Sequence, residues 1–326
     1  MVEPTPPPNP TGTAPLRSVF LVGCPRSGTT WVQGILGQHP EVVTTPETHL
    51  FVDLARALAQ YPPGPDDGEV ALIGPRVVLT RDEWVQALAA PWTTALHTLA
   101  AADPQATVAL DKTPQHVFAI DAIAELVPDA RFVHLVRRPD AVARSLLDGA
   151  HGWAESWFPT DVEGAIGLWQ ASVRAAATSV PVHTVRYEDL LAGDGWDDLL
   201  AAMGLDPGWE VPDLGASPRE LRGGFTLRPG LADRQDTLWE TEGFSYHSRQ
   251  PGQRRELTAT EAAYVHAHTA ADADALGYGP TGPLDNGERA RVAARRVERA
   301  VVRRLPDRIA EKVDARRGRR PHSVLH

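Results

Sequence analysis

Eight consecutive residues, Gly23-Cys24-Pro25-Arg26-Ser27-Gly28-Thr29-Thr30, have the make-up of an anion-binding turn. A glycine-rich turn that opens into a helix aims backbone N–H groups at an anion, and the helix dipole adds to the attraction. The spacing fits the nucleotide loop G-x-x-x-x-G-K-[ST] except that Thr29 stands where the lysine should be. That lysine reaches the outer phosphates of ATP. With Arg26 supplied earlier instead, the turn suits a phosphate or sulfate ester better than Mg-ATP. A second anion site is set up by Arg137, Pro139 and Ser145. Pro139 suits the first turn of a helix, which leaves Arg137 at the C-terminal end of the apolar run Arg131 to Val136 and puts Ser145 on the helix beyond. A guanidinium offers a bidentate fork and a serine hydroxyl one more donor. Between these sites, the segment from His39 to His49 carries Glu47, and Asp111-Lys112-Thr113-Pro114 follows another apolar run. Lys112 and Lys312 are the only lysines in the chain.

Elements must hold these residues, and their pattern is repetitive. Ser18 to Val22 is a short β-branched and aromatic run, as expected of a buried parallel strand. A helix is predicted over Thr29 to Gln38. Further strands are predicted at Val42 to Thr44, Thr107 to Leu110, Arg131 to Val136 and Val182 to Val185. Helices are predicted at Leu50 to Gln60, Arg81 to Ala101, Gln115 to Leu126, Pro139 to Gly149, Val162 to Thr178 and Thr258 to Leu276. Alternating strands and helices give βαβ units and a mostly parallel sheet. Ligands bind such sheets at the C-terminal ends of the strands, where Arg137 and Lys112 fall.

Pro25 to Trp31 resembles the 5′-phosphosulfate loop of sulfotransferases that use 3′-phosphoadenosine-5′-phosphosulfate (PAPS), in the arginine version of bacterial and Golgi-type members. The resemblance implies a P-loop-like three-layer α/β sandwich with helices flanking a central, mostly parallel sheet. It implies that Arg26, Ser27, Gly28, Thr29 and Thr30 hold the phosphosulfate and that Trp31 lies near the adenine. Arg137 and Ser145 match the family's 3′-phosphate motif. Sulfuryl transfer needs a base for the acceptor proton and a cation for the departing oxygen. In the tyrosylprotein branch a glutamate at the position of Glu47 is the base, with His49 the alternative here; a Glu47 base calls for a raised pKa. A cap for the helix beginning near Leu50 is the plain alternative for Glu47. Lys112 is similar to the lysine of a Lys-x-Pro motif that contacts the leaving group or transferring sulfate. Arg186 to Leu190 resembles a family segment whose tyrosine, here Tyr187, helps hold the nucleotide. Arg254 and Arg255 fall in a looser match to the last nucleotide-binding loop. His116 and His151 are expected at the surface or behind the site. The resemblance covers residues 18–190 well and 248–279 loosely.

The chain of 326 residues has a net charge of −10, unevenly spread. From Asn286 to His326 there are thirteen basic and five acidic residues, leaving about −18 on the rest. No nucleic-acid partner is expected. One cysteine permits no internal disulfide and suits a reducing, cytoplasmic setting. Neither a signal peptide nor a transmembrane run is expected. Residues 1–17 read as a proline-rich lead-in, 18–285 as the catalytic domain and 286–326 as a basic helix and tail. Within the domain, 191–250 reads as lids and loops shaping the pocket of a hydroxyl-bearing small molecule, sugar or lipid, with Trp196, Trp209, Phe225, Trp239, Phe244 and Tyr246 available to stack on it. In the tail, Val297, Val301, Leu305, Ile309 and Val313 recur every fourth position, predicting a stripe that docks on the acidic body or on a second copy in a homodimer, with an anionic membrane surface or an acidic partner as the alternative. No metal is called for. A P-loop nucleotide kinase or NTPase would need the missing lysine, and a non-catalytic nucleotide-binding scaffold has no use for Glu47 and Lys112.

Overall fold

The computed structural model describes residues 16–61, 74–150, 158–212, 255–279 and 282–302. The chain divides into two compact units. The first comprises Met1–Gly23, Gly28–Leu135 and Ala175–Tyr246. Its frame is a five-stranded sheet of β1 (Arg17–Gly23), β2 (Val42–Thr44), β3 (Val108–Lys112), β4 (Arg131–Val136) and β5 (Val182–Arg186), in the order β2-β3-β1-β4-β5. β1 pairs in parallel with β3 and β4, and β2 with β3. Because successive strand residues face opposite sides, β1 feeds two cores. Val19 and Leu21 meet α1 (Thr29–Leu36), α7 (Tyr187–Ala192) and α8 (Trp196–Met203). Phe20 and Val22 meet α2 (Leu50–Leu58), α3 (Arg81–Ala102) and α4 (Ile120–Leu126). The result is the expected three-layer sandwich with a parallel sheet. Gly23 ends β1 where only glycine fits: at φ 154°, a Cβ would stand 2.5 Å from the Leu135 carbonyl oxygen.

Two expectations change here. β3 runs on through Asp111 and Lys112, which pair with Phe20 and Leu21 of β1, so Lys112 lies in the last residue of a strand and is 4% exposed. Residues 191–212 are not wholly loop: α8 docks on the sheet, and Trp196 sits in the core beside Trp31, unable to stack on an acceptor.

The second unit comprises Cys24–Ser27, Val136–Arg174 and His247–His326. Its core joins α5 (Pro139–Ala150), α6 (Val162–Ala175) and α9 (Ala259–Ala275) through Val142, Leu146, Ile166, Trp169 and Val265, with Cys24 buried among them. A Thr258–Glu261 capping box starts α9. The basic helix α10 (Asn286–Val302) packs on α9 and is pinned by a bidentate bond from Arg295 to Glu163, at 2.6 and 2.7 Å. That fork fixes which face of α10 turns inward. Val292 and Arg295 are buried, while Val297 is 65% exposed. The stripe predicted from Val297 therefore does not face the body at that position, and its members Leu305, Ile309 and Val313 lie outside the described residues. No helix among the described residues is long and apolar enough to cross a membrane.

Candidate active site

In the second unit, the two anion motifs come together. The turn residue Arg26 takes a left-handed backbone, φ 74°, and its Nε donates to Ser145 Oγ at 3.0 Å. Arg137 Nη1 donates to the Arg26 carbonyl at 3.3 Å. The Arg137 carbonyl in turn accepts from Trp169 Nε1 at 3.0 Å, a support that no spacing in the sequence disclosed. Residues 111 and 119 positions apart thus build one cationic group. Ser27 Oγ is buried with no hydrogen-bond partner among the described residues. Two guanidinium groups, a serine hydroxyl and an unsatisfied buried hydroxyl are a fitting donor set for an ester phosphate. Cys24, in the same turn, is no nucleophile: burial pushes its thiol up to about 12, against a smaller opposing bond with Ser172.

In the first unit, the loop between β2 and α2 brings Glu47 to Lys112 and His49. Lys112 Nζ is 2.5 Å from Glu47 Oε1, and His49 Nε2 is 3.2 Å from Oε2. Each carboxylate oxygen has its own cationic neighbour. Burial pushes the Glu47 carboxyl up, but the Lys112 ammonium and the His49 imidazole together outweigh it and hold the group down at about 2. The raised pKa sought for a Glu47 base is therefore absent in this arrangement, for a plain electrostatic reason. The bond from Glu47 raises His49 above its ordinary value, with burial opposing. Glu47 does not cap α2; the N-cap residue is His49, left-handed at φ 52°, with no side-chain cap bond. Arg26 and His49 are the only non-glycine residues with positive φ among the described residues, and such strain gathers at functional positions.

Gly28, at φ 99°, begins α1 directly beneath Tyr187, whose ring a Cβ would strike. Tyr187 lies edge-on to Trp31, ring centroids 5.3 Å apart. Trp31 itself is 7% exposed and packed in the core behind Tyr187. Thr29 is buried and Thr30 half-buried in the first turn of α1. Arg255 Nη2 bonds Glu261 Oε1 at 2.7 Å, while its Nη1 is buried with no hydrogen-bond partner among the described residues. His116 is fully buried, which leaves the second of its two expected places, behind the Glu47–His49 loop, where its Nε2 accepts from the Phe51 backbone N–H. Arg254, His151, Phe225, Trp239, Phe244 and Tyr246 lie outside the described residues. Of the remaining aromatic residues expected to face an acceptor, Trp209 packs against His39, centroids 4.8 Å apart.

Comparison with known proteins bears on this chemistry. The family model described as Sulfotransferase family matches residues 18–195, more than half of the chain. Nodulation protein NoeE of Sinorhizobium fredii (strain NBRC 101917 / NGR234) is 30% identical over 213 residues, covering 58% of this chain and 50% of that protein. The chain thus spans about half the length of that curated relative. Among solved structures, the sulfotransferase domain from the Synechococcus PCC 7002 olefin synthase is 21% identical with a TM-score of 0.39, covering 75% of this chain and 99% of that one. Sulfotransferase STF9 from Mycobacterium avium is 15% identical with a TM-score of 0.42, covering 81% and 78%. Overlaps this shallow add nothing to the assignment. The family match does, since it runs from the first strand through the anion turn, Glu47, Lys112, Arg137, Ser145 and Tyr187: the chain belongs to the sulfotransferase family.

Proposed function

We propose that the protein transfers a sulfuryl group from PAPS to an acceptor hydroxyl, releasing adenosine 3′,5′-bisphosphate, without a metal and in the cytoplasm. The observation that carries this is the meeting of Arg26, Arg137 and Ser145 in the second unit. A lysine-free phosphate turn joined to a second arginine–serine pair suits a nucleotide bearing two separate anionic groups better than a triphosphate. Arg26 and Ser27 serve the 5′-phosphosulfate; Arg137 and Ser145 serve the 3′-phosphate.

The reaction forms one S–O bond to the acceptor oxygen and breaks the bridging S–O bond of the donor. The acceptor proton goes to Glu47, and the leaving electron pair stays on the 5′-phosphate. Lys112 serves both halves. While its ammonium faces Glu47, the carboxylate is too weak a base to take a hydroxyl proton. As its charge turns to the departing oxygen, the cation that depresses the Glu47 pKa is withdrawn and burial raises the basicity of the carboxylate. His49 keeps hold of Oε2 and orients the group. The acceptor is a hydroxyl-bearing small molecule, sugar or lipid.

Removing the Arg137 fork should weaken adenosine 3′,5′-bisphosphate by about 2–3 kcal/mol, the scale of a charge-assisted pair, while leaving the affinity for AMP nearly unchanged. Calorimetric titration of Arg137→Ala with both nucleotides checks this. Equal binding of AMP and the bisphosphate by the wild-type chain would remove the 3′-phosphate assignment.

A further inference from the structure

Beneath the Glu47–His49 loop lies a buried polar cluster that the transfer chemistry does not itself use. Asp111 is 1% exposed and His116 fully buried. His116 Nε2 accepts the backbone N–H of Phe51 at 3.2 Å, which assigns the ring proton to Nδ1. That proton faces Asp111 Oδ1 at 3.1 Å, an oblique electrostatic contact rather than an aligned hydrogen bond. Asp111 Oδ2 accepts from Thr48 Oγ1 at 2.5 Å. Thr113 Oγ1 accepts the backbone N–H of Thr48 at 3.1 Å and that of His49, more loosely, at 3.4 Å.

All but the His116–Asp111 contact reach one short segment, Thr48 to Phe51. A helix leaves its first N–H groups without internal partners, and the N-cap side chain ordinarily supplies an acceptor. In α2 the N-cap side chain does not, because His49 is turned to Glu47. His116 supplies the acceptor from outside instead. The capping duty has been moved off His49, which frees its imidazole, and Thr113 and Asp111 hold the left-handed backbone that aims it.

We propose that Asp111, Thr113 and His116 form a positioning clamp that sets the Glu47–His49 pair. The proposal rests on the acid–base reading of that pair given above. His116 and Thr113 are positioning residues, acting through the loop and touching neither donor nor acceptor.

The test is the titration of His49 in the full chain, followed by NMR with labelled histidine and assigned through His49→Gln. Charged groups bearing on this imidazole are Glu47, Lys112 and Asp111. In the wild type His49 should titrate above 6.5 because Glu47 is held against it. In His116→Ala the loop loses its acceptor and the midpoint should move back toward 6.5. In His116→Gln, whose amide oxygen can accept from Phe51, it should stay at the wild-type position. Thr113→Val should behave like the alanine variant, and decides the matter if that variant does not fold. Bisphosphate release from PAPS, with water or 4-nitrophenol as acceptor, should fall roughly tenfold or more in His116→Ala with donor KM little changed, the size of a misplaced proton acceptor. A folded His116→Ala with His49 at its wild-type midpoint, or a glutamine variant no better than alanine, would overturn the clamp. Failure of the wild type to bind adenosine 3′,5′-bisphosphate would instead sink the sulfotransferase reading, and the His49 titration would still report on the clamp.

Discussion

Lys112→Ala will lose turnover and stability together. In the proposed mechanism the ammonium supports the departing oxygen, and removing one preorganised charge of this kind costs roughly 10²–10³ in kcat. It also leaves the partly buried Glu47 without its main cation, a loss of about 1–3 kcal/mol for an acceptor left short of its partner. The pH dependence identifies the origin. The folded-state pKa of Glu47 is depressed from 4.5 to about 2, so its contribution is complete above 4.5 and drains away as pH falls through that interval. Urea unfolding at pH 7 and at pH 3 should show a wild-type advantage over the variant that is large at the first and much reduced at the second. Turnover and stability both unchanged would make Lys112 a bystander.

Glu47→Gln should separate chemistry from binding. The amide keeps the shape of the carboxylate and an oxygen for the Lys112 ammonium, but it cannot take a proton. Turnover should fall by roughly 10²–10⁴. Affinity for adenosine 3′,5′-bisphosphate should stay within about twofold, because Arg26, Arg137 and Ser145 keep their bonds to one another in this variant. Single-turnover formation of bisphosphate, beside a calorimetric titration, checks both halves. Near-normal kcat in this variant would pass the role of base to His49, and His49→Ala would then carry the loss.

The parallel sheet and its helices were legible because apolar runs and turns alternate strictly along the chain. Where polar residues enter an element, that signal fails. β3 continues through Asp111 and Lys112 because they are buried against specific partners, and hydropathy cannot see a partner. Lys112 was conspicuous by rarity in an arginine-rich chain, but not as a buried charge. The helix at Trp196 was hidden by neighbouring glycines, and tertiary packing against Trp31 decided it. The arginine–serine spacing pointed to both halves of the cationic group, since each follows a strand end, whereas the Arg26–Ser145 bond between them is a fact of three dimensions. The state of Glu47 runs opposite to expectation: a base there calls for a raised pKa, while two cations converging from β3 and from two residues along the same loop lower it. His116 and Thr113 carried no spacing signal, because a cap supplied from a distant element leaves none.

The central claim, that this site takes a nucleotide with separate 3′ and 5′ anions, is tested most directly by thermal unfolding of the full chain with adenosine 3′,5′-bisphosphate in EDTA and, separately, with ATP and Mg²⁺. Bisphosphate at a hundred times its Kd should stabilise the protein by about 2.7 kcal/mol and raise Tm by a few degrees, with ATP and Mg²⁺ giving no comparable rise. A rise with ATP and Mg²⁺, and none with the bisphosphate, would contradict the account.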